Sequence, residues 1–142
     1  MSLNIYLNFN GTCAEAFDFY RSVFGGDFGA RLTFADAPPD MPVDPKHRDK
    51  IMHVSLPVGD SELMGSDVAE GFGPPVTFGD NFAVSYTAES RAQADEVFAA
   101  LKDGGAEAMA MQETFWGSYF GMCKDKFGVN WMVSFPLTEK AG

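Results

Sequence analysis

The chain is poor in cysteine, histidine and basic residues. Its 142 residues include two cysteines, two histidines and ten Lys or Arg against twenty Asp or Glu, which gives a formal net charge of −10. Affinity for nucleic acid depends on Lys and Arg side chains that neutralise phosphates, and anionic membrane surfaces attract the same side chains. The composition therefore disfavours both nucleic acid and membranes as partners.

Long apolar runs and export features are also missing. No apolar stretch approaches the roughly 20 residues that a membrane helix requires, and the start MSLNIYLNF lacks a basic region followed by an apolar core. Cys13 and Cys123 lie far apart and form no CxxC spacing, so they predict no disulfide framework. We therefore expect a cytoplasmic protein with reduced thiols.

The first half of the chain predicts a strand, a helix and three further strands. Asn4–Phe9 is rich in strand-forming residues, and the helix that follows has Thr12 at its N-cap and Glu15 at the capping-box spacing. Gly25 and Gly26 end this helix. The next strands are predicted at Phe28–Ala35, Lys50–Val58 and Ser61–Ser66, with a proline-rich surface loop at Asp36–Asp49, a hairpin turn at Gly59-Asp60 and a linker at Asp67–Asp80.

The second half repeats this pattern. A shift of 78 residues superposes Ala16, Tyr20, Val23 and Gly26 on Ala94, Phe98, Leu101 and Gly104. The predicted elements are a strand at Asn81–Thr87, a helix at Ala88–Lys102 and strands at Glu107–Gln112, Gly117–Cys123 and Val129–Phe135. Repetition at a fixed period indicates duplication of one structural unit. We predict one domain over residues 1–142, with a first module at 1–68 and a second at 80–137.

Three stretches of the chain resemble a known family. They read YLNFNGTCAEAFDFYRSVFGG, IMHVSLPVGDSELMGSD and ETFWGSYFGMCKDKFGVNWMVS. Together they resemble the PhnB-like branch of the vicinal oxygen chelate superfamily, which includes glyoxalase I and the bleomycin- and fosfomycin-resistance proteins. The resemblance implies an α+β fold of tandem βαβββ modules whose strands curve around a cavity. It also implies a homodimer that builds or completes two sites.

The same resemblance bears on the metal cofactor. Metal-dependent members of the superfamily carry His, Gln or Glu at four positions, on the first and last strand of each module. These positions fall on Ile5, Met64, Asn81 and Met132 or, if the last strands slip by one or two places, on Glu62, Ser66 and Asn130. Isoleucine and methionine cannot supply the imidazole, carboxylate or thiolate that divalent first-row metals require. The resemblance therefore predicts no metal cofactor, and a divalent metal is the alternative.

The aromatic residues near the end of the chain leave three interpretations open. Trp116, Tyr119 and Trp131 could line a pocket for a planar or apolar ligand, anchor a dimer interface, or pack in the core. The run Thr-Phe-Trp-Gly around Trp116 is not typical of a strand, which favours the pocket or the interface for that residue.

Few side chains are candidates for acid–base chemistry. His53, in the middle of a predicted strand, is either a polar group facing the cavity or an ordinary strand histidine, and Glu113 is either a general base or an exposed carboxylate. His47, in the proline-rich loop, is expected to be solvated. Cys123 is expected to be a buried small hydrophobic residue, whereas Cys13 near a helix start could have a lowered pKa.

Two classes of function follow from these features. The first is a metal-free module that binds a small planar or apolar molecule, with His53, Asn81, Trp116, Tyr119 and Trp131 as candidate ligand contacts. The second is an enzyme, namely a lyase, isomerase or dioxygenase of glyoxalase type. The enzyme would need His53 and Glu113, or Asn81, to converge on a metal or on a substrate proton.

Overall fold

The computed structural model describes residues 1–41, 43–68 and 73–137. The chain divides into two compact units, Met1–Thr77 and Phe78–Gly142, which we call unit 1 and unit 2. Pro42, in the predicted proline-rich loop, and residues 69–72, in the predicted linker, lie outside the described part. None of the helices in the described ranges is long and apolar enough to cross a membrane.

Unit 1 contains one helix and a four-stranded mixed sheet. The sheet order is β1-β4-β3-β2, and β1 runs parallel to β4 while the other neighbours are antiparallel. A helical crossover links β1 to the rest of the sheet, and a tight turn with Gly59 at φ 59° joins β3 to β4. The elements are β1 (Ile5–Phe9), α1 (Cys13–Phe24), β2 (Ala30–Thr33), β3 (Ile51–Val58) and β4 (Ser61–Asp67), with short 3-10 turns at Phe34–Asp36 and Pro45–His47.

Unit 2 repeats the same arrangement. Its sheet order is β5-β8-β7-β6, and β5 runs parallel to β8. The elements are β5 (Val84–Thr87), α2 (Arg91–Lys102), β6 (Ala106–Glu113), β7 (Ser118–Lys124) and β8 (Asn130–Pro136). The equivalent order of strands in the two units confirms the α+β fold of paired βαβββ modules.

In each unit the helix packs on one face of the sheet, where a strand glycine makes room for an aromatic ring. A Cβ on Gly65 of β4 would lie 2.6 Å from Cε1 of Phe17 in α1. A Cβ on Gly121 of β7 would lie 3.0 Å from Cε1 of Phe98 in α2. A Cβ at 2.6 Å would force the Phe17 ring to move, and a Cβ at 3.0 Å from the Phe98 ring is tighter than ordinary van der Waals contact. These glycines therefore allow each helix to lie close to its sheet. The buried residues on the two helices include Cys13, Ala16, Phe17 and Tyr20, and Ala94, Val97, Phe98 and Leu101.

The predicted helix start in unit 1 is in the right place, but its predicted capping box is wrong. Thr12 occupies the N-cap position and makes no side-chain capping hydrogen bond. Instead, Oδ1 of Asp67 accepts hydrogen bonds from the backbone N–H groups of Gly11 and Cys13, at 2.8 and 3.0 Å. Asp67 was predicted to lie in a linker, whereas it is the buried last residue of β4.

The second half shows two differences in element boundaries. Strand β5 begins at Val84, so Asn81 precedes it in a bend. Helix α2 begins at Arg91, because Ser90 caps it: the Ser90 side chain accepts a hydrogen bond from the N–H of Gln93 at 3.0 Å. A serine followed three residues later by glutamine is a capping signal, and it marks the helix start better than the apolar spacing does.

Candidate functional site

The sheet of unit 1 has a face opposite α1, which we call the far face of unit 1. On β1, Leu7 and Phe9 are buried, whereas Tyr6 and Asn8, which alternate with them, are exposed. Tyr6 is paired with Met64 of β4, which is paired in turn with Ser55 of β3. Because paired residues share a face of the sheet, the far face carries Tyr6, Asn8, His53, Ser55, Met64 and Ser66.

His53 contacts Tyr6 on this far face, although β4 lies between their two strands. The Tyr6 hydroxyl and Nδ1 of His53 are 3.1 Å apart and form a hydrogen bond. The two rings are stacked, with centroids 5.7 Å apart and an angle of 26° between their planes. Tyr6 remains 44% exposed. His53 is therefore a hydrogen-bonded histidine at an accessible surface, and Tyr6 is a partner that the sequence did not identify.

In unit 1 the two expected metal positions, Ile5 and Met64, lie on opposite faces of the sheet. Met64 is paired with Tyr6, so Ile5 lies on the opposite face of the sheet, toward α1. In unit 2 the residue paired with Met132 is Ser85 rather than Asn81. In the ranges that the structure describes, no three or more His, Cys, Asp and Glu side chains are grouped so as to hold a metal ion. The metal content of the protein stays a prediction.

A cluster of aromatic rings lies at the hairpin between β6 and β7. We call Phe115, Trp116 and Phe120 the aromatic tip. The ring centroids of Phe115 and Trp116 are 5.0 Å apart, and those of Trp116 and Phe120 are 5.9 Å apart, both in edge-to-face geometry. Phe115 is 97% exposed and Trp116 is 60% exposed. These two rings form an apolar surface that faces solvent.

Hydrogen bonds hold the loop that carries the aromatic tip. Thr114 and Ser118 exchange backbone and side-chain hydrogen bonds across the loop: Thr114 Oγ1 donates to the Ser118 carbonyl at 2.9 Å, and the Ser118 N–H donates back to Oγ1 at 3.2 Å. Gly117 takes a φ of 87°, which favours glycine, and its carbonyl accepts from the N–H of Leu137 at 2.8 Å. The loop is therefore closed by its own side chains and tied to the segment after β8.

Tyr119 and Glu113 form a second group, on the α2 side of the same hairpin. The Tyr119 hydroxyl donates a hydrogen bond to Oδ1 of Asp95, and this hydrogen bond, together with burial, raises the pKa of Tyr119. The Arg91 guanidinium lies 4.0 Å from the centre of the Tyr119 ring and 2.8 Å from Oε2 of Glu113. Glu113 is therefore held in an ion pair, and Tyr119 is directed toward α2 rather than toward the aromatic tip.

Trp131 lies in the core of unit 2. It is only 2% exposed, and its Nε1–H donates to Oδ2 of Asp125 at 2.9 Å. Of the three interpretations left open by the sequence, this geometry fits core packing, and we leave Trp131 out of the binding surface proposed below.

Reasoning from the sequence did not identify two buried carboxylates. Asp67 is 5% exposed and Asp125 is 2% exposed. Oδ2 of Asp67 accepts from the N–H of Ile51 at 2.9 Å, and Oδ1 of Asp125 accepts from the N–H groups of Phe127 and Val129 at 2.8 and 3.0 Å. For Asp125 the turn sequence Lys-Asp-Lys-Phe-Gly offered a signal, because Asp commonly bonds the backbone two residues on.

The two cysteines are both buried, as was expected only for Cys123. Burial raises the pKa of Cys123 to about 11, with a smaller contribution from Asp125. Burial also raises the pKa of Cys13, and the Asp67 carboxylate raises it further, so the expectation of a lowered pKa at the helix start is wrong. Neither thiol is suited to nucleophilic chemistry.

His47, which was expected to be solvated, is half-buried. Its Nε2 is shielded from solvent and has no hydrogen-bond partner in the part of the chain that the structure describes.

Comparison with known proteins identifies relatives over nearly the whole chain. Residues 2–134 match the family model described as 3-demethylubiquinone-9 3-methyltransferase. Protein YjdN of Escherichia coli strain K12 is 30% identical over 142 residues, covering 94% of this chain and 95% of that protein. Protein PA1353 of Pseudomonas aeruginosa is 42% identical, and its crystal structure covers 95% of this chain and 98% of its own with a TM-score of 0.83.

More distant structures share the fold. A PhnB protein from Bacillus cereus is 23% identical, with a TM-score of 0.74 over 95% of this chain and 99% of its own. A glyoxalase/bleomycin resistance protein/dioxygenase family enzyme from Burkholderia phytofirmans is 17% identical, with a TM-score of 0.62 over 94% of this chain and 97% of its own. At these identities the similarities show the fold alone, which this chain shares with the glyoxalase/bleomycin resistance protein/dioxygenase family enzyme.

Proposed function

The chain belongs to the PhnB-like family whose model is described as 3-demethylubiquinone-9 3-methyltransferase, and we propose that it binds a small planar or apolar molecule through aromatic side chains, without a metal. The observation that carries this proposal is the aromatic tip, where Phe115 and Trp116 present two accessible rings in fixed edge-to-face geometry. Binding sites for small molecules are mostly apolar with a few placed polar groups.

The rigidity of the hairpin supports this role. Rings that are already held in place lose less conformational entropy when a ligand binds. The Thr114–Ser118 hydrogen bonds close the loop from within, and Arg91 contacts both strands at its base through Glu113 and Tyr119. Glu113 thus has a structural role that does not require acid–base chemistry.

A homodimer is part of the proposal. Phe115 is almost fully exposed in the single chain, and large aromatic side chains are enriched where proteins contact one another. A second copy of the chain that packs against Phe115 would remove this ring from water and leave Trp116 as the ring that contacts the ligand. Sedimentation equilibrium should therefore give twice the chain mass at micromolar concentration, and Phe115→Asp should lower the apparent mass. Phe82→Asp, which changes another exposed ring of unit 2, should leave it unchanged. A monomer in the unaltered protein contradicts the dimer.

The ligand-binding proposal can be tested by NMR, because the chain has only two tryptophans. In a titration with indane, a small apolar probe, the indole N–H signal of Trp116 should shift in a saturable way while that of Trp131 stays fixed. Trp116→Ala should weaken binding about twofold to tenfold, since aromatic contacts contribute roughly 0.5–1.5 kcal/mol beyond burial. Phe82→Ala is the matched control, since it removes an exposed ring outside the aromatic tip. A Trp116 shift that does not saturate, or equal losses in both variants, would overturn the proposal.

A second candidate function is a metal-dependent enzyme of glyoxalase type. The hydrogen bond between Tyr6 and His53 favours it, because such a pair can move a proton. Elemental analysis of protein purified without added metal or chelator, followed by calorimetric titration with Zn²⁺, Ni²⁺ and Mn²⁺, separates the two candidates. Stoichiometric binding that is lost in His53→Ala would support the enzyme and contradict the metal-free proposal.

A further inference from the structure

We propose that Tyr6 and His53 form a hydrogen-bond donor site on the far face of unit 1 that recognises the carbonyl oxygen of a small planar compound. This site is separate in sequence and in structural unit from the aromatic tip, and its test does not depend on the aromatic tip. It assigns a role to Tyr6, which the sequence did not single out.

The contact between the two residues requires Tyr6 to reach across a strand. Tyr6 lies on β1 and His53 on β3, with β4 between them. Two strand spacings amount to roughly 9–10 Å, which only a long side chain can cross. The hydroxyl nevertheless meets Nδ1 at 3.1 Å with the rings stacked at 26°, so the Tyr6 ring lies flat over the sheet and fixes the orientation of the imidazole.

The direction of the hydrogen bond at Nδ1 determines which nitrogen of a neutral imidazole carries the proton, because a tyrosine hydroxyl can either donate or accept. If the Tyr6 hydroxyl donates to Nδ1, the proton of His53 must be on Nε2. Within the described residues Nε2 of His53 makes no hydrogen bond, so its N–H is available to a ligand. A tyrosine that donates to Nδ1 thus turns His53 into a single, oriented donor.

The surroundings of this donor are suited to a planar ligand. Leu32 of β2 is paired with His53 and is 41% exposed, and Met64 of β4 is paired with Tyr6. The donor is therefore flanked by an exposed aliphatic side chain, a thioether and the face of the Tyr6 ring. Asn8, Ser55 and Ser66 share the far face with these groups, so a ligand meets one oriented donor with both apolar and polar neighbours, which suits a planar molecule that carries a carbonyl oxygen.

The first test is the protonation pattern of His53. The chain has two histidines, so long-range ¹H–¹⁵N spectra contain two imidazole patterns, and His47→Gln identifies which belongs to His53. At about pH 9, where imidazole side chains are neutral, His53 should carry its proton on Nε2. In Tyr6→Phe, which keeps the ring and removes the hydroxyl, the pattern should shift toward a mixture of the two tautomers. A proton on Nδ1 in the unaltered protein would overturn the proposal.

The second test compares 1-indanone with indane, which differ by one carbonyl oxygen. The His53 imidazole signals should shift saturably with 1-indanone. The affinity measured from these His53 signals should be about threefold to tenfold higher for 1-indanone than for indane, as expected for one neutral hydrogen bond. Tyr6→Phe and His53→Phe should abolish this preference.

The outcomes of the second test are distinguishable from those for the aromatic tip. The donor site is overturned if the His53 signals give equal affinities for the two compounds or do not respond to 1-indanone. This holds whatever the Trp116 signal does. A saturable Trp116 shift without a His53 response would leave the proposed function in place and remove this inference alone.

Discussion

The two units have the same order of strands but differ in the position of their buried carboxylate. In unit 1, Asp67 at the end of β4 joins the start of α1 to the start of β3. In unit 2, Asp125 joins the β7–β8 turn to Trp131, and the start of α2 is capped by Ser90. The contacts of Asp67 in unit 1 join residues 16 to 56 apart in sequence, whereas the contacts of Asp125 and Ser90 in unit 2 join residues two to six apart. The buried carboxylate and the helix cap thus act through distant contacts in unit 1 and through local ones in unit 2.

The largest effect is expected from Asp67→Ala. It leaves three backbone N–H groups without their acceptor and removes a negative charge from the N-terminus of α1. The free energy of unfolding, measured by urea denaturation, should fall by about 3–5 kcal/mol. Asp60→Ala is the control, because Asp60 is an exposed acid in the β3–β4 turn, and its effect should stay within about 0.5 kcal/mol. Similar small losses in both variants would mean that Asp67 does not organise unit 1.

A smaller effect is expected from Asp125→Asn. The amide can still accept hydrogen bonds from the turn through its oxygen, but its NH₂ group then faces the Nε1–H of Trp131. The free energy of unfolding should fall by about 1–3 kcal/mol, and the indole N–H signal of Trp131 should move upfield as its hydrogen bond is lost. Asp60→Asn should produce neither change. An unchanged Trp131 signal in Asp125→Asn would contradict the role given to this carboxylate.

The helix caps give a third comparison. Ser90→Ala removes a side-chain hydrogen bond to the N–H of Gln93 and should destabilise the protein by about 1 kcal/mol. Thr12→Ala removes no capping hydrogen bond and should change stability by less than about 0.5 kcal/mol. Urea denaturation of the two variants in parallel measures the difference. A larger loss of stability in Thr12→Ala than in Ser90→Ala would mean that the side chain of Thr12 caps α1, as that of Ser90 caps α2.

These comparisons show what could be predicted from the sequence. The strands and helices follow from apolar spacing and glycine positions, which are local features, and the repeat of the pattern predicts the second module. Burial of Cys123 follows from its place on a strand. The role of Asp67 could not be predicted, because nothing near residue 67 indicates that the start of α1 and the start of β3 meet there in space.

The candidate site was predictable only in part. The run Thr-Phe-Trp-Gly correctly indicated that Trp116 is not a strand residue, and it lies at an exposed hairpin. The partnership of His53 with Tyr6 depends on the order β1-β4-β3 and on register, neither of which a single sequence specifies. A shift of one residue in register moves a side chain to the other face of the sheet. Ile5, chosen from the sequence as a metal position, therefore lies on the α1 side, and its neighbour Tyr6 lies on the far face.

The last comparison concerns the two buried thiols, one in each unit, whose effect on stability depends on pH. In the unfolded chain a cysteine loses its proton near its ordinary pKa of 9.0, whereas burial keeps Cys13 and Cys123 protonated in the folded protein. Above about pH 9 the folded state therefore binds more protons than the unfolded state, and stability falls as pH rises. Each thiol can contribute at most about 1.4 kcal/mol per pH unit to this decline.

Replacing either cysteine by alanine should make the decline less steep between about pH 9 and 10, which urea denaturation at several pH values measures. The two units should differ at higher pH. The contribution of Cys123 ends as the pH approaches about 11, where it ionises in the folded state as well. The pKa of Cys13 is raised further, by deeper burial and by Asp67, so its contribution continues. Identical slopes for Cys13→Ala, Cys123→Ala and the unaltered protein would mean that neither thiol is held protonated by its unit.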